Sequence, residues 1–179
     1  MIEAARRAGV DDLDDLERLA RLAIEQHKPL RGGLLWSLTL GRQEPVAESL
    51  QRAITDPDQR VVVGTIDEAV VGYGAVHVLG LADGRPLGVV DELYVEPGAR
   101  AVGVGEALMD LLVAWCRDRG CVGIDAVALP GDRETKNFFE TFGLKARAIV
   151  VHRQLDEPDA DSPNTSDGTD GPGAGADEP

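Results

Sequence analysis

Apolar positions along this chain change texture near Arg60. Before it, they recur every three or four residues. In "DDLDDLERLARLAIEQH", Leu13, Leu16, Leu19, Ala20, Ala23 and Ile24 fall on one helical face, and the opening aspartates suit the positive end of a helix dipole. "VAESLQRAI" has the same spacing and predicts a second helix. Between them, "KPLRGGLLWSLTLGRQEP" is punctuated by Gly and Pro and apolar in its middle, so it reads as a loop or a short helix. Ile2 to Arg7 reads as a short first strand.

From Arg60 the period becomes that of a sheet. "RVVVGTI", the turn "DEA" and "VVGYGAVHVL" predict a hairpin of β-branched residues, and "LGVVDELYV" a third strand after the turn "LADGRP". A helix follows from about Val104 to Arg119, with Leu108, Leu111, Leu112 and Trp115 on one face. "CVGIDAVAL" reads as a strand, "DRETKNFFETF" as a short helix ended by Gly143, and "ARAIVVHRQL" as a closing strand. Strands that pair as a meander and then alternate with helices predict an α/β fold, an α+β mixed sheet with helices on its faces. It would occupy one domain from Met1 to about Leu155.

Composition adjusts this picture at one end. The net charge is −14, but 156–179 holds eight acids and no Lys or Arg, leaving −6 for the rest. That segment has almost nothing to bury, so it is expected to be a disordered acidic tail. The acidic balance argues against a nucleic-acid partner and favours cationic small molecules or basic peptides. The first residues lack the apolar core of a signal peptide, and no run approaches a membrane span. Cys116 and Cys121 form no CxxC pair and no metal-ligand cluster with the three histidines. A reduced, cytoplasmic setting without a metal is the expectation.

The chemistry concentrates in "VVDELYVEPGARAVGVGEALMDLLVAW". A strand that turns sharply into a helix leaves the first helical N–H groups without acceptors, and glycine lets a ligand approach them. With Arg100 nearby, the turn suits a phosphate or pyrophosphate. Gly98 and Gly103 have the spacing of a nucleotide P-loop, but Val104-Gly105 stands where Lys-Ser/Thr is needed. A dinucleotide fingerprint fails too, because Leu108 occupies the place of its third glycine.

"ELYVEPGARAVGVGEAL" resembles the acetyl-CoA-binding motif of the GNAT (GCN5-related N-acetyltransferase) family, R/Q-x-x-G-x-G/A after a strand ending in Val-x-Pro. Arg100, Gly103 and Gly105 take its fixed positions. "GDRETKNFFETFGLKAR" is similar to a second family segment, with Phe138, Phe139, Glu140, Gly143 and Leu144 in register. The resemblance covers Ile2 to Leu155. It implies an acyl-CoA N-acyltransferase fold with a central, mostly antiparallel, splayed sheet, and transfer of an acetyl group from acetyl-CoA to a primary amine of a small molecule or peptide. The amides of Ala101, Val102, Gly103, Val104, Gly105 and Glu106 would cradle the pyrophosphate. Leu93, Tyr94 and Val95 would pair with the pantetheine arm, and an N–H near Val95 would stabilise the oxyanion. Phe138 and Phe139 would lie beside the cofactor, and Asp132 would contact the pantetheine arm.

A lysine-like amine is free base in only about one of every few thousand molecules at pH 7, so a carboxylate that takes its proton is useful. Asp91 and Glu92 interrupt an apolar strand. As strand neighbours they should point to opposite faces, Asp91 sharing its face with Leu93 and Val95. Asp91 is the first candidate for base or amine anchor and Glu92 the second, the alternative being two solvated or ion-paired carboxylates. The family's tyrosine acid would sit at Phe139, which carries no proton. A non-catalytic acyl-CoA-binding sensor or interaction domain therefore stays open as the other reading. Tyr73, Tyr94, His77 and His152 read as packing residues. His27 and Trp36 could line the acceptor site, and the closing strand could pair across a homodimer.

Overall fold

In the computed structural model, which describes residues 2–155, the strands follow one another across one sheet in the order β1-β2-β3-β4-β5. Their ranges are β1 Glu3–Arg7, β2 Gln59–Ile66, β3 Ala69–Gly80, β4 Pro86–Val95 and β5 Ile124–Ala126. The first four pair antiparallel, and β5 joins β4 in parallel. The helices are α1 Leu13–His27, α2 Gly33–Thr39, α3 Val46–Thr55, α4 Val104–Asp118 and α5 Arg133–Thr141. This is the mixed, mostly antiparallel sheet flanked by helices that the sequence pattern predicts.

Each face of the sheet carries its own apolar cluster. Leu16, Leu19 and Ala23 of α1, with Leu50 and Ile54 of α3, cover Val61, Val63, Tyr73 and Tyr94. On the other face, Leu108, Met109 and Leu112 of α4 cover Val62, Val76 and Val90, and Phe139 of α5 joins them. Alternation along β2 (Val62 to one side, Val61 and Val63 to the other) is the two-residue period of a strand expressed in packing. Helix α4 lies almost on the sheet backbone. A Cβ at Gly64 would come within 2.5 Å of Val104 Cγ1, and one at Gly88 within 2.5 Å of Cys116 Sγ. Both cysteines are free thiols, and burial, with Cys121 beside it, pushes the Cys116 thiol up to about 12. It is therefore a packing group rather than a nucleophile.

Of the described residues, 2–145 form one compact unit and 146–155 belong to a second. In the second, 146–155 carry no helix or strand, and Ile149, Val150 and Val151 are exposed. The closing strand predicted there is not formed. An apolar run becomes a strand only where a neighbouring strand supplies its ladder, which the run itself cannot specify. The segment expected as an acidic tail lies outside the described residues. Among the described residues, no helix is long and apolar enough to cross a membrane.

Candidate active site

The site begins with one extra residue in β4. Val76 pairs with Val90 and Ala75 pairs with Glu92, so Asp91 has no partner and forms a β-bulge. Before it, Gly88 N–H donates to Gly123 O at 3.0 Å and Val122 N–H donates to Pro86 O at 2.9 Å, so even-numbered residues of β4 turn their backbone groups toward β5. After it, Glu96 N–H donates to Val71 O of β3 at 2.9 Å. Even-numbered groups now serve β3, and the alternation of an antiparallel ladder turns those of Leu93 and Val95 to the opposite edge. That edge is open, because the β4–β5 pairing stops at Val90 and Ala126.

The same bulge redirects side chains. Val90 packs under α4, and so do Leu93 and Val95, although an uninterrupted strand would send 90 and 93 to opposite faces. Asp91 and Glu92 both reach the α1 and α3 side. Asp91 accepts from His77 Nδ1 at 2.8 Å and 3.0 Å, and His77 shares its face of β3 with Tyr73 and Ala75. Glu92 accepts from the Tyr73 hydroxyl at 3.0 Å and from Arg42 Nε at 3.0 Å, with Arg42 Nη2 closing a two-pronged pair. The expectation that the two acids face opposite ways is thus overturned, and so is a shared face for Asp91, Leu93 and Val95.

Glu92 is 7% exposed and both its oxygens are held. Burial is the largest single influence on Arg42 and lowers its value, but the charge and hydrogen bond of Glu92, helped by Tyr73 and Asp91, together outweigh it and keep the guanidinium above its ordinary value. Burial first, and then the Glu92 charge, pushes the Tyr73 phenol well above its usual range. Tyr73 is accordingly a fixed hydrogen-bond donor. Tyr94 also turns its side chain into the α1 and α3 cluster, so both tyrosines pack as the sequence suggests.

Asp91, Glu92 and Leu93 form one wall of a pocket whose other walls come from four elements. His27 ends α1, Trp36 projects from α2, Val127 to Leu129 follow β5, and Asp132, Thr135 and Phe139 belong to the start and middle of α5. Asp132 caps α5 by accepting from Thr135 N–H at 3.0 Å.

The glycine turn lies at one end of the open edge. Gly103 caps α4 with φ of 99° and no side-chain bond, which leaves the first amides of a 15-residue helix facing outward. Ala101 takes φ of 62°, a left-handed conformation costly for any residue with a Cβ. A Cβ at Gly105 would approach Phe138 Cε2 to 3.2 Å, so this glycine lets Phe138 sit against the helix start. Arg100 crosses the mouth. Its Nε donates to Val95 O at 2.9 Å, its Nη2 to Gln26 Oε1 of α1 at 2.8 Å, and its Nη1 pairs with Glu134 of α5 at 3.3 Å.

The acetyltransferase (GNAT) family profile matches residues 20–144, which spans the pocket, the bulge and the turn. The chain belongs to the GNAT family of acetyltransferases. It is 30% identical over 119 residues to aminoglycoside N(6')-acetyltransferase type 1 of Stenotrophomonas maltophilia, covering 63% of this chain and 78% of that one. The fold is that of AAC(6')-Iy, solved with the bisubstrate analogue CoA-S-monomethyl-acetylneamine (TM-score 0.68, 14% identity, 87% of this chain and 99% of that chain). A ribosomal-protein-alanine N-acetyltransferase from Brucella melitensis is also similar (TM-score 0.64, 15% identity, 87% and 100%).

Against this GNAT frame, the residues singled out in the sequence fall into two groups, Tyr94 excepted. Its backbone faces β3 and not the open edge, and its ring packs in the α1 and α3 cluster, so the expected pairing with the pantetheine arm does not extend to it. Asp91, Glu92, Leu93, Asp132 and Phe139 meet in the pocket. Val95, Arg100 and the segment 101–106 gather at the mouth, with Phe138 behind Gly105. Two residues were not read from the sequence in their present roles. Arg42 sits in an irregular segment 50 positions from Glu92. The only hint of it is that a buried carboxylate requires a cation. His27 was visible as a lining residue, but its pairing with Asp132 depends on the approach of α1 to α5.

Proposed function

We propose that this GNAT acetyltransferase uses acetyl-CoA as donor and acetylates a primary amine on a small cationic molecule or basic peptide by direct attack. The observation that carries the reading is the bulge at Asp91. Past the end of β5 the backbone edge at Leu93 and Val95 is open, and the bulge beside it places two carboxylates, Asp91 and Glu92, against the adjoining pocket. An open strand edge suits the amides of a pantetheine arm, and outward helical amides beside Arg100 suit a pyrophosphate.

Glu92, already bound to Arg42 and Tyr73, fixes the acceptor segment between α2 and α3. Asp91 has the more accessible carboxylate, and His77 Nδ1 orients it. In this reading the amine loses its proton to Asp91, directly or through water, and attacks the thioester carbonyl. A backbone N–H on the open edge at Leu93 or Val95 stabilises the oxyanion, and the C–S bond then breaks. Aminoglycosides head the acceptor candidates because the Stenotrophomonas relative is named for them, and three carboxylates in the pocket suit a polyamine cation.

The test is a thiol-release assay with acetyl-CoA and a panel of aminoglycosides, polyamines, amino acids and peptides with free N-termini. Turnover on at least one amine is expected. Acetyl-CoA binding with no turnover on any would overturn the enzymatic reading in favour of a binding domain.

A further inference from the structure

We infer that His27 donates the proton that the departing thiolate needs, with Asp132 as its positioning residue; this rests on the acetyl-transfer reading above. The position from which a phenol would serve holds Phe139, which has no proton to give. Tyr73 is wholly buried and bound to Glu92, and Tyr94 packs against α1. Among the described pocket-lining residues, the side-chain N–H and O–H groups outside the carboxyls are those of His27, the Trp36 indole and the Thr135 hydroxyl, and of these three the imidazole is the general acid of ordinary enzyme chemistry.

Its geometry fits the task. Nδ1 lies 2.7 Å from Ala23 O, a pure acceptor, so Nδ1 carries a hydrogen and Nε2 is the atom left to exchange a proton. Nε2 stands 3.8 Å from Asp132 Oδ2, too far for a hydrogen bond but close enough to feel a carboxylate. Asp132 cannot swing freely, because Oδ1 is held by Thr135 N–H. The ring rests on Trp36, 5.1 Å between centroids, and its side chain is 16% exposed, shielded yet reachable. His27 is also the last residue of α1, where free carbonyls favour a cation.

The remaining charges around the ring are few. From β4, Asp91 and Glu92 line the far wall, Asp91 bound to His77 and Glu92 paired with Arg42 from the α2–α3 segment. From α5 comes Asp132, from α2 only Trp36, and along the chain Lys28 follows. Nearby Arg100 is bound to Gln26 and Glu134.

In the step itself, the neutral amine forms the C–N bond and the C–S bond breaks with its electron pair on sulfur. The Nε2 proton passes to that sulfur, giving the free thiol and a neutral imidazole. Asp91 passes the proton taken from the ammonium to solvent, then accepts the one that the nitrogen releases on becoming an amide and passes that on as well, and the imidazole regains one from solvent. Charge and protons balance without a further reagent.

The experiment compares the pH profile of kcat for wild type, His27→Gln and Asp132→Asn, on an amine that the panel shows to be acetylated. His27→Gln should lower kcat by about 100-fold, leave the KM for acetyl-CoA within about threefold, and abolish the alkaline fall in rate. Asp132→Asn keeps an N-cap for α5. It should leave the melting temperature unchanged and move the alkaline limb to lower pH. Should His27→Gln lose acetyl-CoA binding through misfolding, the Asp132→Asn limb decides alone. An unmoved limb in Asp132→Asn, or full kcat in His27→Gln, overturns the inference while acetyl transfer stands. Turnover on no amine sinks both.

Discussion

Tyr73 donates its hydroxyl hydrogen to Glu92 Oε1 across 3.0 Å, from the middle of β3 to the residue just after the β4 bulge. The bond is wholly buried, and it holds the carboxylate that Arg42 grips from the other side. Tyr73→Phe should cost about 1–3 kcal/mol in urea denaturation, since it leaves a buried acceptor one donor short. The pH dependence has a definite sign. Burial raises the folded-state phenol, so its contribution is complete below about pH 10, the unfolded value, and declines as pH rises further. The Phe variant should lose that part of the alkaline decline.

The Arg42–Glu92 pair ties the segment between α2 and α3 to the bulged strand. Arg42→Met would leave a carboxylate buried without its cation and should destabilise by about 3–5 kcal/mol. Adding Glu92→Gln should recover most of that stability, because the amide can still accept from Tyr73. The double variant should nevertheless bind the amine less tightly, with a raised acceptor KM, while acetyl-CoA affinity is kept.

Asp91→Asn keeps the shape of the bulged residue and removes its capacity to take a proton. Turnover at neutral pH should fall by about 100-fold or more, with acetyl-CoA binding by calorimetry unchanged. Retained turnover would show that the amine is deprotonated elsewhere.

At the turn, Gly105→Val places methyl groups where Phe138 already lies 3.2 Å from a bare Cβ. The helix start must shift, and acetyl-CoA affinity should drop by at least tenfold. Gly103→Ala, at φ of 99°, should lose about 1–2 kcal/mol of stability from backbone strain. Its loss of affinity should be smaller than that of Gly105→Val.

Far from the pocket, Asp12 accepts two Arg6 bonds at 2.7 Å and one from Gly9 N–H at 2.8 Å. The Arg6 bonds chiefly, opposed by burial and helped by the Gly9 bond, hold its carboxyl below the ordinary range. A depressed folded value stabilises above about pH 4, the unfolded value, and the contribution is lost as pH falls through the folded one. Asp12→Ala should therefore lower stability at pH 7 but shallow the acid side of the stability curve.

Local pattern carried most of the fold into view. The start of α4 at Val104 and the three long strands follow from periodicity and glycine punctuation alone. The bulge did not, because nothing in "VVDELYV" distinguishes an unpaired Asp91 from a paired one. That outcome is set by Ala75 and Val76 on another strand. Arg42 was hidden for a related reason, lying in a stretch without period whose partner is remote in sequence. "ARAIVVHRQL" has the composition of a strand, but composition cannot supply the neighbour a strand needs.

The bulge also implies that Asp91 is an addition to a strand whose register does not need it. Val90 and Glu92 pair with the adjacent Val76 and Ala75, so the bulge absorbs one residue and the faces from Glu92 to Val95 are those of a strand without it. Deleting Asp91 would remove one carboxylate. It would leave Val90 opposite Val76 and Glu92 opposite Ala75, so Glu92 to Val95 would keep their faces and Leu93 its open edge. Asp91 is thus a carboxylate added beside an intact ladder, and deleting it would test that carboxylate without moving the rest of the strand.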